Sequence, residues 1–132
     1  MKKQVSEWIL FARVDLDSAL KLMEEPHLSQ NSVFHCQQTI EKAFKAIIED
    51  NTSRIPRTHD LRRLLGIIET YGIVIEIEED ILDEINAVYT EARYPSDLGL
   101  IPDGIPGMKT VTQFYSLAKS IYHQVTHLLS SC

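Results

Sequence analysis

The stretch Ser32 to Asp50, SVFHCQQTIEKAFKAIIED, decides the fold, because it joins a long apolar stripe to a compact group of polar side chains. Val33, Cys36, Ile40, Ala43 and Ile47 recur at three- and four-residue spacing, and Phe34, Phe44 and Ile48 widen the stripe. That period is helical, and a helix so apolar must be surrounded by other protein. Between the apolar positions lie Gln37, Gln38, Glu41, Lys42 and Lys45. The offsets among Gln38, Glu41, Lys42 and Lys45 gather them on neighbouring turns of one side. Amide, carboxylate and amine groups on one surface form either a solvated face with helix-internal ion pairs or a ligand site.

Working outward, the chain before this segment predicts a helix over about 4–25, with Trp8, Ala12, Ala19 and Met23 on its apolar side and Leu16 and Leu20 beside them. Asp15 falls on that same side. A buried carboxylate needs compensation, so Asp15 is expected to pair with a basic side chain from another helix, Lys42 or Arg93, or to point into a wet cleft. Pro26 stops this helix, Ser29 or Asn31 is placed to cap the next, and the two should form an antiparallel hairpin.

Beyond the central helix, DNTSRIPRT reads as a loop, with Thr58 as a cap for the helix HDLRRLLGIIETY and Gly72 to end it. Leu61, Leu64, Leu65 and Ile68 form the inward side of that helix. Arg54, Arg57, Arg62 and Arg63 form either a solvated face or a surface that contacts phosphate. His59, at the helix start, reads as structural. GIVIEIE alternates apolar and acidic residues but has no partner strand in sight, so it is expected to be an extended connector. A fourth helix over about 78–92 begins with acidic residues that suit a helix N-terminus and carries Ile81, Leu82, Ile85, Val88, Tyr89 and Ala92. Arg93 lies near its end, and Pro95 stops it. The stretch 94–108 reads as one long loop. A last helix over about 110–129 has Val111, Phe114, Ala118, Ile121, Val125 and Leu128 on one face. Tyr115, Tyr122 and Leu129 add a strip that is either a dimer surface or a broader core face.

Composition narrows the function classes. The chain has 132 residues, 44% of them hydrophobic and 24% charged, as expected of one globular domain spanning 1–132. No apolar run approaches the roughly 20 residues needed to span a bilayer, and Arg13 and Asp15 interrupt the first apolar stretch, unlike a signal peptide. The expected location is cytoplasmic. A net charge of −6 argues against broad binding of duplex nucleic acid. Residues 1–63 hold ten Lys/Arg against nine Asp/Glu and residues 64–132 three against ten, so a local basic surface survives in the first part. Cys36 and Cys132 make neither a metal spacing nor a disulfide framework. His123 and His127 lie four apart with no further ligand at a metal-binding offset, so no metal or cofactor is expected.

Taken together, ARVDLDSALKL in the first helix, FHCQQTIEKAFKAII in the second, THDLRRLL opening the third and EARYP closing the fourth resemble the HEPN family. The resemblance runs through nearly the whole chain. It implies an all-α antiparallel bundle of four to five helices, usually dimeric, often encoded beside a minimal nucleotidyltransferase, and acting as a nucleotide-binding or toxin–antitoxin partner. One branch of the family consists of metal-independent ribonucleases with an arginine followed four to six residues later by a histidine. Arg93 matches the arginine, but residues 94–101 contain no histidine to move a proton. Arg54 and His59, in RIPRTH, match the spacing at a place where the family motif is not found.

The leading expectation is therefore a homodimeric binding module that recognises a nucleotide, an RNA phosphate or a nucleotidyltransferase partner through Lys42, Lys45 and Arg93, with Gln38 and Tyr94 at the edge. The alternative is a ribonuclease with a divergent active site. A third reading assigns all five polar residues to fold stability.

Overall fold

A computed structural model describes residues 1–92 and 106–130, with residues 88–92 described by their backbone alone. The described residues form an all-α structure, as expected: α1 (Lys3–Leu22), a 3-10 turn (Pro26–Leu28), α2 (Ser29–Asn51), α3 (Leu61–Thr70), α4 (Glu79–Ala92) and α5 (Met108–Ser130). α2 occupies the centre and packs against the other four helices. Val33, Cys36, Ile40, Ala43, Phe44, Ile47 and Ile48 are all buried in the core with Phe114, Ile121, Leu64, Ile68, Leu82 and Ile85. Burial in this apolar setting disfavours the thiolate and pushes the Cys36 thiol up to about 12. None of the described helices is long and apolar enough to cross a membrane.

Several local expectations are corrected. α1 ends at Leu22 rather than near Glu25, because Pro26 forces Glu25 into an extended conformation and the turn before it tightens: Glu25 N–H donates to the Leu22 carbonyl at 3.1 Å. The 3-10 turn then runs straight into α2, whose N-cap position is Leu28, so neither Ser29 nor Asn31 caps it. Ser32 serves the hairpin instead, its hydroxyl donating to the Ala19 carbonyl at 2.7 Å. At the start of α3 the cap is Asp60, which accepts from the backbone N–H groups of Arg62 and Arg63, while Thr58 Oγ1 accepts from Asp60 N–H. Phe34 and Leu20, read as parts of apolar faces, are 39% and 47% exposed. Gly72 ends α3 with φ +76, a conformation that favours glycine.

Residues 73–78 form neither helix nor strand, and their burial alternates as in an extended chain, with Ile73, Ile75 and Ile77 packed against the core and Val74, Glu76 and Glu78 exposed. On α5, Tyr115, Tyr122 and Leu129 pack into or against the core, which favours the broader core face over a free dimer strip. The large exposed apolar side chains of the described residues concentrate on α1, at Leu10, Phe11, Val14 and Leu20.

Candidate functional site

α2 carries two polar constellations of the same composition. In the first, α1 contributes Asp15, whose carboxylate is 9% exposed and bridges two side chains of α2. Its Oδ2 accepts from Lys42 Nζ at 2.5 Å, and its Oδ1 meets His35 Nδ1 at 2.8 Å. His35 and Lys42 are two turns apart on α2, which brings both to the one carboxylate. In the second, the carboxylate comes from α2 itself. Glu41, 5% exposed, accepts from Lys45 Nζ at 2.9 Å through Oε2 and from His59 Nδ1 at 2.9 Å through Oε1. An ionised carboxylate only accepts hydrogen bonds, so both histidines carry the Nδ1 proton toward their carboxylates.

Gln37 locks the second constellation together. This fully buried side chain donates through Nε2 to Glu41 Oε1 at 3.3 Å and to the His59 carbonyl at 3.2 Å. Its Oε1 accepts from Gln38 Nε2 at 2.7 Å. The loop between α2 and α3 is thereby fastened to α2 at His59. Lys45, 9% exposed, also lies with Nζ 5.7 Å from the centre of the Trp8 ring, a cation–π distance, and Trp8 Nε1 donates to Glu49 at 3.3 Å.

Of the residues expected at the site, Gln38 and Lys42 are partly exposed, whereas Lys45 is buried against Glu41 and Trp8. Arg93 and Tyr94 lie outside the described residues, so the alternative pairing of Asp15 with Arg93 does too. Spacing alone does not assign His35, Gln37 or Trp8 to the site. The hint for His35 is its seven-residue offset from Lys42, and the hint for Gln37 is its four-residue offset from Glu41.

The two lysines and two carboxylates cancel, leaving a neutral core to the site when the imidazoles are neutral. Cationic excess comes from the adjoining loop and helix. Arg54, Arg57 and Arg63 are exposed, and their guanidinium groups have no ion pair among the described residues. Arg62 is committed elsewhere: it joins α3 to α4 through Asp83 at 2.6 Å and Glu79 at 2.6 Å. Its hydrogen bonds hold the Asp83 carboxyl below the usual carboxylate range. His123 and His127 stand exposed on α5. The constellations can therefore offer partly exposed imidazole, ammonium and amide groups at their rim, each held from behind by a buried carboxylate or amide.

A family model described as the HEPN domain matches residues 5–128. The chain belongs to the HEPN family. The match spans α1 to α5 and so includes both constellations. No curated protein and no solved structure matched the chain.

Proposed function

We propose that this HEPN chain is a binding module for the phosphate of a nucleotide or RNA segment, acting as a cytoplasmic homodimer and as partner of a minimal nucleotidyltransferase in a toxin–antitoxin-like pair. The observation that carries the reading is the pair of carboxylate–histidine–lysine constellations along α2, beside a loop whose exposed Arg54 and Arg57 have no ion pair among the described residues. Gln38 and Lys42 are the direct contacts, with Arg93 and Tyr94 assigned to the same ligand. Lys45 supports them from beneath by holding Glu41. Family membership supports a nucleotide- or RNA-related role.

Calorimetric titration with a mononucleotide and a short RNA in low salt tests this. Binding is expected in both cases and weakens as salt rises, because cationic contacts at an exposed site are screened. Lys42→Gln should lower affinity about tenfold, the size of one charge-assisted hydrogen bond. Absence of binding by the wild type would return the polar cluster to a purely structural role. The homodimer has its own test, since light scattering at micromolar concentration should give twice the chain mass, and a strictly monomeric mass refutes it.

One observation favours the ribonuclease alternative. His59 is oriented by the buried Glu41, as a proton-transferring imidazole requires. RNA cleavage that disappears in His59→Ala would select that reading; the binding reading expects little cleavage.

A further inference from the structure

The extended segment 73–77 has two edges with different fates. On one side, α5 supplies Gln124, whose side-chain amide imitates a neighbouring strand: Oε1 accepts from Glu76 N–H at 2.8 Å and Nε2 donates to the Glu76 carbonyl at 2.8 Å. In an extended chain, backbone groups of alternate residues point to opposite edges. If Glu76 presents its N–H and carbonyl to α5, then Ile75 and Ile77, with Ile73 before them, present theirs the other way. Those backbone groups have no hydrogen-bond partner among the described residues. A groove of about 320 Å³ borders the segment, lined by Leu65 and Glu69 of α3 and by Ile73, Val74, Ile75 and Ile77 of the segment itself. Val74 is 84% exposed beside it.

The geometry points to this edge as a docking site for an extended, basic segment of another protein, which adds as a strand to residues 73–77. An open row of donors and acceptors beside a groove of mixed apolar and acidic lining is the chemistry of strand addition, in which main-chain bonds give affinity and alternate side chains give specificity. Charge chooses the occupant. Glu69, Glu76 and Glu78 are exposed around the segment, in a half of the chain with ten acidic and three basic residues. Lysine or arginine at alternate positions of the incoming strand complements them, while a second copy of this chain would bring glutamates toward glutamates. The inference stands apart from the phosphate-binding reading, because it uses no residue of the α2 constellations.

The probe is a heptapeptide of alternating lysine and valine, followed by fluorescence anisotropy and amide hydrogen exchange on the full chain. Binding is expected to slow exchange at the Ile75 and Ile77 amides at least tenfold. Val74→Lys combined with Glu69→Lys, two exposed positions, should lower affinity about tenfold or more with the helical spectrum unchanged. An analogue N-methylated at alternate amides should lose binding. Equal binding of that analogue would report charge attraction alone and overturn the proposal. So would equal binding of a glutamate–valine peptide, or no protection at Ile75 and Ile77. Concentration-dependent protection of the two amides without peptide would also overturn it, by giving the edge to a second copy.

Discussion

Lys45→Met should lose about 3–5 kcal/mol of unfolding free energy, the usual consequence of stranding one member of a buried ion pair. The lysine and Glu41 side chains are 9% and 5% exposed, so water cannot replace the missing ammonium. Gln37 and His59 also bond Glu41, but neither neutralises it when the imidazole is neutral. Urea denaturation measures the loss. Total stabilities of domains are about 5–15 kcal/mol, so the variant should approach marginal stability. The double variant Glu41→Leu with Lys45→Met removes both charges and should recover much of the loss. A Lys45→Met variant within about 0.5 kcal/mol of wild type would show that water reaches Glu41 after all.

Asp15→Asn is expected to separate stability from binding. The substitution weakens two charge-assisted contacts between α1 and α2, to His35 and Lys42, and should cost about 2 kcal/mol in a denaturant titration. That is less than for Lys45, because Lys42 and His35 are 25% and 29% exposed and can rehydrate. It also removes the negative charge that cancels Lys42. Phosphate affinity should then rise about fivefold, roughly 1 kcal/mol of relieved competition. A loss of stability accompanied by a loss of affinity would mean that Asp15 positions Lys42 for the ligand and does not compete with it.

The fold was legible because it rests on periodicity. Val33, Cys36, Ile40, Ala43 and Ile47 lie on the buried side of α2, and the four helices around it follow from the same three- and four-residue spacing. The ends of helices were less legible. Proline at 26 acts through its neighbours and shortens α1 by more than the one residue it restricts directly, and both Thr58 and Asp60 were able to cap α3. The site was legible only within α2. Helical spacing brings Gln38, Glu41, Lys42 and Lys45 to one side, but it does not show that Trp8 lies against Lys45 or that the loop ending at His59 is fastened to Gln37 and Glu41. His59 is separated from Glu41 by 18 residues and reaches it through tertiary packing, which no local pattern encodes. The carboxylate of Asp15 was informative for the opposite reason: an acid among apolar neighbours requires a partner, and the structure supplies Lys42 and His35.

The most direct measurement is a nuclear magnetic resonance titration of the labelled full chain with adenosine monophosphate and with a short RNA in low salt, following the His35 imidazole, the Gln38 side-chain amide and the Lys42 ammonium. Phosphate binding on α2 predicts saturable shifts at these three groups that shrink when salt is added. Unmoved signals from all three at millimolar ligand, or shifts confined to other parts of the chain, would contradict it.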